Sequence, residues 1–246
     1  MRLAVISDIH ANIDALNAVL EDIARHEVSD MVCLGDCLSG PMDAPATAER
    51  LMALNIPTVR GNHDRQLFDR PRAEMRTWEN YIIDDLSEEH INWLRTFPVT
   101  YTHGDVLFCH ATPDNDEENW LDFRGPGQRL IARDLPGVVD RLCGITAPVI
   151  CCGHTHTPRI VHIPNGPMIV NPGAIGIPAY LDERNDPPFI HQTGSPDARY
   201  AILENFGDRW HADLISVPYD TSRMVRLARG KGADSWAQAL ETGWIA

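Results

Sequence analysis

"RLAVISDIHANIDALNAVLEDIARHE", residues 2–27, sets a short apolar run, an acid–histidine corner and a helix-period segment one after another. The run reads as a strand, and Ile13, Leu16, Leu20 and Ile23 repeat at helical spacing behind it. "MVCL" (31–34) reads as a second strand, "APATAERLMALN" (44–55) as a second helix and "PTVR" (57–60) as a third strand. This alternation predicts a parallel sheet with right-handed crossovers and helices on its faces. Ligands of such sheets bind beyond the carboxyl ends of the strands.

From Thr77 to Phe97 the pattern predicts two helical stretches, the second capped by Ser87 ahead of "EEHINWL". Three later stretches, 99–110, 158–170 and 198–217, each read as two β-runs around a Gly-containing turn, the middle one carrying the Asn165-Gly166 hairpin signal. Antiparallel sheet is therefore expected in the second half. Two long segments interrupt it as irregular insertions in a single domain spanning 1–246: about 111–146, acidic at first and then partly helical, and about 179–197, rich in Pro and Asp. Segments this long are usually functional or disordered. The tail from Asp220 reads as two short helices.

Composition narrows the function. The 246 residues carry 21 basic and 35 acidic side chains, a net charge of −14 with histidine neutral. Duplex nucleic acid and anionic membrane surfaces are poor partners for such a field. No leader-like N-terminal segment and no apolar run long enough to span a bilayer is visible, so a cytoplasmic location is expected. The six cysteines fit neither a disulfide framework nor a thiolate zinc site, and most read as reduced, buried side chains.

Metal-capable side chains follow each expected strand: Asp8 and His10, Asp36, Asn62 with His63 and Asp64, His110, and His154 with His156. Singly, such a residue is more often a turn former or helix cap than a ligand. Five strand ends facing one crevice gather two aspartates, an asparagine and four histidines. That oxygen and imidazole set suits Mn, Fe, Zn or Ni, and it is too large for one tetrahedral ion. Two ions sharing a carboxylate would be the geometry of two-metal hydrolysis. Gly35, Gly61 and Gly153, one residue ahead of ligand candidates, suit tight strand-to-loop turns.

The motifs "DIH" (8–10), "GD" (35–36), "GNHD" (61–64), the lone His110 and "GHTH" (153–156) resemble, in order, those of the calcineurin-like metallophosphoesterases. "VNPGAIG" (170–176) and "VPYD" (217–220) look like its bacterial phosphodiesterase branch. The resemblance implies an α/β fold, a four-layer α/β/β/α sandwich of two mixed β-sheets flanked by helices. It also implies two divalent metal ions, one held by Asp8, His10, Asp36 and His156 and the other by Asp36, Asn62, His110 and His154, with Asp36 bridging. The implied chemistry is hydrolysis of a small phosphate ester, a phosphodiester or nucleotide, by metal-bound hydroxide. His63 would stabilise or protonate the leaving oxygen, with Asn62 beside it at the substrate. Asp64 would hold the other ring nitrogen of His63, a capping role for Asp64 being compatible with this.

Rival readings differ at named positions. Diadenosine polyphosphates stay open as substrates, although the acidic "ATPDNDEENWLD" (111–122) disfavours a bulky polyanion. A serine/threonine protein phosphatase would carry an arginine in an extended second motif and "GNHE" in the third, where this chain has "GDCLSGP" and Asp64. A retromer-type scaffold would have lost ligands that are all present here, and a single-zinc hydrolase would strand Asp36, Asn62 and His110. Arg60 and Arg65 could pair with a substrate phosphate but read first as solvated, and His103, His162, His191 and His211 read as turn or surface residues. The thiols of Cys37, Cys109, Cys151 and Cys152 read as packing beside the ligands. Nothing in the sequence sets the oligomeric state, so a homo-oligomer stays open.

Overall fold

The computed structural model describes residues 1–182, 187–207 and 209–245. Strand β1 (Arg2–Ile6) and helix α1 (Ile13–Arg25) form where the opening stretch places them, followed by β2 (Asp30–Cys33), α2 (Ala44–Leu54) and α3 (Asn62–Asp69). Then come α4 (Thr77–Asn80), α5 (Glu88–Arg95), β3 (Thr100–His103), β4 (Val106–Cys109), β5 (Asp122–Gly125) and β6 (Arg129–Ala132). The chain continues through α6 (Leu135–Val139), β7 (Val149–Cys151), β8 (Arg159–His162), β9 (Met168–Asn171), β10 (Ala179–Asp182) and β11 (Phe189–Gln192). It ends with β12 (Ala198–Asn205), β13 (Trp210–Val217), α7 (Ser222–Gly230) and α8 (Asp234–Thr242).

Two mixed sheets stack. The first runs β13-β12-β1-β2, with β1 parallel to β2 and antiparallel to β12; the second runs β3-β4-β7-β9-β8, parallel in its middle. Side chains of β1 alternate between two cores, as the period of a strand requires. Ala4 and Ile6 enter a core shared with Leu16 of α1, Ala48 of α2, Val225 of α7 and Leu240 of α8. Leu3 and Val5 enter the space between the sheets, against Phe108, Val149 and Val170. On the far side of the second sheet Leu107, Ile150 and Ile169 meet Trp120, Leu121 and Val138. The layering is thus α/β/β/α, with a thin fourth layer, because α6 is only five residues long.

Two expectations change. The third strand, "PTVR", is reduced to a single bridge, Thr58 beside Cys33, because Pro57 has no N–H to give and the chain turns away at Gly61. The two segments expected to be irregular are regular in part. They supply β5, β6, β10 and β11, which join in a third sheet of order β10-β11-β6-β5 through a parallel contact of Ile190 with Arg129. Positions 183–186 of the second segment lie outside the described residues. Ser87 does cap α5, accepting from the His90 N–H at 3.2 Å. Among the described residues no helix is long and apolar enough to cross a membrane.

Candidate metal centre

The loops leaving β1, β2, β4 and β7 and the first turn of α3 bring all seven ligand candidates into one buried cluster, His154 being the most exposed at 8%. Asp8, His10, Asp36, His154 and His156 have φ between 46° and 66°, in the left-handed region. Each such residue costs on the order of 1–3 kcal/mol and persists only where the surroundings over-determine it. Here the first two loops are laced together beyond the strand ends, with Asp8, His10 and Ala11 donating their N–H to the carbonyls of Gly35, Asp36 and Cys37, each at 3.0 Å. The glycines divide by cause. Gly35 has both a positive φ of 93° and a close approach to the Gly61 backbone, whereas Gly61 and Gly153 are needed for close approach alone. A Cβ on Gly61 would lie 2.1 Å from Asp36 Oδ1, and one on Gly153 would lie 2.7 Å from Asp8 Oδ2.

Two groups of donors result, Asp8 with His10 and His156, and Asp36 with His110 and His154, the donor atoms of each lying within 4.8 Å of one another. Each histidine is oriented by a backbone carbonyl, which only accepts. His10 Nδ1 donates to Ser39 O (2.8 Å), His110 Nδ1 to Leu34 O (2.7 Å), His156 Nδ1 to Ile177 O (3.1 Å) and His154 Nε2 to Glu117 O (3.1 Å). Fixing one ring nitrogen as the donor makes the other the atom a metal would take, as in metal-ligating histidines. In the first group His10 Nε2 and His156 Nε2 face each other at 3.2 Å, and Asp8 Oδ1 lies 3.2 Å from His156 Nε2. That Asp8 oxygen is buried and has no hydrogen-bond partner. Ligands about 2.1 Å from one ion stand roughly 3 Å apart, so these spacings fit a cation and fit hydrogen bonding poorly.

Asp36 touches both groups. Its Oδ2 lies 3.2 Å from His110 Nε2 and 3.9 Å from His10 Nε2, and Asn62 Oδ1 lies 3.1 Å from the same His110 nitrogen. Burial works against charge on His110, yet the Asp36 carboxylate overcomes it and raises the imidazole to about 10. At His10 burial and the neighbouring His156 act together and push it down to about 3. Burial also opposes charge on Asp8, but His156 draws that carboxyl down to about 2. An acidic pocket that traps a proton on a buried histidine is one that favours a cation. The donor set and the orphaned oxygen therefore fit divalent ions.

Asp64 is not the partner of His63. Its carboxylate accepts three backbone N–H groups, from Asp36 (2.8 Å), Cys37 (2.9 Å) and Gly61 (3.0 Å), closing the first turn of α3 and pinning the loop that carries Asp36. A carboxylate at the third position of a helix satisfies backbone donors that would otherwise be orphaned, and that local need wins. Asp64→Ala is expected to cost roughly 3 kcal/mol of stability, one to two for each strongest N–H left unpaired in the interior. Urea unfolding measures it, and a loss below ~1 kcal/mol would deny Asp64 this structural role. The His63 ring instead meets Glu79 of α4, Nδ1 to Oε1 at 2.5 Å, with Glu79 fully buried.

A cavity of about 610 Å³ opens over the cluster, lined among others by Asp36, His63, Arg76, Trp78, Tyr180 and Trp236. None of Arg76, Trp78, Glu79, Tyr180 and Trp236 carries a motif, and they come from α4 and the residue that caps it, β10 and α8, elements with no acid–histidine corner to mark them. His191 also departs from expectation. It is buried on β11, with its ring 6.2 Å from that of His156 and 5.1 Å from that of Tyr180. The acidic 111–122 segment is largely neutralised. Arg65 binds Asp116 through Nε and Nη2 at 2.7 and 2.9 Å and reaches Glu117 at 2.9 Å, while Arg141 pairs with Glu118 at 2.6 Å. Arg65 is thus a strut rather than a solvated side chain. The six cysteines are unpaired and all but Cys143 are buried; burial pushes the thiols of Cys109, Cys151 and Cys152 up, so they sit beside the ligands as neutral side chains.

Comparison with known proteins agrees with this geometry. The model of the calcineurin-like phosphoesterase superfamily domain matches residues 1–189. An uncharacterized protein of Methanocaldococcus jannaschii, MJ0912, is 29% identical over 241 residues, covering 90% of this chain and 89% of its own. The crystal structure of a metallophosphoesterase from Sphaerobacter thermophilus superposes with a TM-score of 0.77 at 27% identity, over 99% of this chain and 100% of that one. Protein PH1004 of Pyrococcus horikoshii OT3 shares the fold at the same TM-score, 0.77, with 17% identity, over 100% of this chain and 99% of its own. The chain belongs to the calcineurin-like phosphoesterase superfamily.

Proposed function

We propose that this protein hydrolyses small phosphate esters, phosphodiesters or nucleotides, at a centre of two divalent ions. The observation that carries the reading is the meeting of two oxygen–imidazole groups around the shared Asp36 at the floor of a cavity. The similar Sphaerobacter protein is itself a metallophosphoesterase. Asp8, His10, Asp36 and His156 would hold one ion, and Asp36, Asn62, His110 and His154 the other. Bound there, the ions supply Lewis acidity for the phosphoryl oxygens and a water acidic enough to attack near neutral pH.

The protein's own residues orient and protonate. Asp36 Oδ1 accepts the His63 N–H at 2.9 Å, so the loop that presents His63 is tied to the shared carboxylate. His63 lines the cavity and is placed to hand a proton to the departing oxygen, with Asn62 one residue before it at the substrate. The oxygen and imidazole donors favour Mn, Fe, Ni or Zn. A cytoplasmic location and a small-molecule partner complete the proposal. A screen of phosphate monoesters, diesters and nucleotide polyphosphates against Mn²⁺, Ni²⁺, Fe²⁺ and Zn²⁺ tests it, with metal-dependent turnover of a diester as the expected result. A purified protein that takes up no metal and hydrolyses none of these would overturn the reading in favour of a non-catalytic scaffold.

A further inference from the structure

We infer that α4 is a positioning device for His63, with Glu79 holding the ring by its Nδ1 and Trp78 holding it by its face. Residues 77–80 form a single turn that belongs to no ligand loop. Two successive side chains of that turn nevertheless converge on one imidazole. Glu79 Oε1 meets His63 Nδ1 at 2.5 Å, and the Trp78 ring stacks on the His63 ring at 4.9 Å between centroids with the planes 14° apart. Glu79 is itself fixed, because its Oε2 accepts the Arg76 N–H at 3.1 Å and closes the turn. Trp78 is held from behind by Trp236 of α8, ring to ring at 4.7 Å. A fully buried carboxylate costs several kcal/mol of desolvation unless it is paired, and here its partner is the His63 ring.

Fixing Nδ1 on Glu79 decides which nitrogen serves the substrate. Nε2 becomes the atom turned to the cavity, and an imidazolium formed there is balanced by the carboxylate behind it. The inference rests on the proposed phosphoesterase reading. In that reaction the phosphorus–oxygen ester bond breaks with its electron pair on the leaving oxygen, which takes a proton from His63 Nε2. The oxygen of the consumed water ends on phosphorus, and a proton of that water returns His63 to its starting state.

A positioning role differs from a structural one in its dependence on the leaving group. A nitrophenolate departs without help, whereas an alkoxide needs the proton. Metal-loaded wild-type, Glu79→Gln and His63→Asn proteins are compared on a p-nitrophenyl diester and on a dialkyl phosphate diester carrying a radiolabel. Glu79→Gln is expected to lower kcat on the alkyl ester by about a hundredfold and on the nitrophenyl ester by less than about fivefold, with KM and metal content unchanged. Adding it to His63→Asn should have no further effect. Equal losses on both esters, or additive losses in the double variant, would overturn the role of Glu79. Should the Gln variant not fold, Trp78→Leu gives the same comparison, and an unchanged ester ratio there refutes the clamp. Absence of wild-type turnover on both esters would instead count against the phosphoesterase reading, so the two failures are distinguishable.

Discussion

Asp36→Asn should lower phosphodiester turnover roughly a thousandfold, a loss of about 4 kcal/mol of transition-state stabilisation. The Asp36 carboxylate reaches ring nitrogens of both donor groups, at 3.2 Å from His110 Nε2 and 3.9 Å from His10 Nε2. Replacing it with an amide removes the negative charge that would hold both ions and the pull that keeps the His110 imidazole up at about 10. The amide oxygen can still accept the His63 backbone N–H that Asp36 Oδ1 receives, so the expected loss falls on ion binding rather than on the path of that loop. Elemental analysis should show fewer than two ions per chain, while thermal unfolding stays cooperative because the cores of β1 and α1 are untouched. Near-wild-type turnover, or two ions retained at full occupancy, would show that Asp36 is not shared.

What could be read in advance was local. A short apolar run followed by an acid or histidine marks a strand end, and the sequence repeats that signal after β1, β2, β4 and β7. The alternation of β1 between two cores and the helical period of α1 are similarly properties of single segments. The third sheet left no such trace. Its strands are four residues each, and β6 is exposed or half-buried throughout, so no apolar alternation announces it. Its closing contact joins Arg129 to Ile190, and parallel pairing at that separation has no turn to signal it. His191 was missed for the same reason, since it points inward only once "FIHQ" is known to be a strand with Phe189 and His191 on its buried face.

Asp64 and Glu79 show the same limit inside the site. A carboxylate next to a histidine in sequence suggests a pair, but on α3 consecutive residues point away from each other, and the third helical position meets the Gly61 N–H of its own first turn and the N–H groups of Asp36 and Cys37. Glu79 lies sixteen residues from His63 in sequence and reaches it only through the path of the chain between α3 and α4. Ligand candidates at strand ends are placed by the sheet, whereas Glu79, the partner of the His63 ring, is placed by a turn that packs above it. Motifs therefore disclose the former and leave the latter to the structure.

Ion removal is expected to move stability as strongly as activity. The chelated protein holds Asp8 Oδ1 buried without a hydrogen bond, His10 and His156 nitrogens facing each other at 3.2 Å, and left-handed backbone at Asp8, His10, Asp36, His154 and His156. Each ion that binds only the folded chain, present at a hundredfold excess over its Kd, adds about 3 kcal/mol. For a chain of this length that is roughly 5–10 °C in Tm per ion. Refilling the chelated protein with Mn²⁺ should therefore raise Tm in two increments, and His156→Ala should remove one of them while leaving the other. Binding must also expel a proton. Burial disfavours the charged His110 ring, but Asp36 raises it to about 10, so at neutral pH the ion-free site carries a proton there that the second ion displaces. Calorimetric titration in buffers of different ionisation enthalpy should show about one proton released with that ion, and the apparent affinity should weaken as pH falls, because protons then compete for the same nitrogen. A Tm that does not respond to Mn²⁺, or binding without proton release, would mean that the acid–histidine cluster is stabilised by its own proton network and holds no ion at His110.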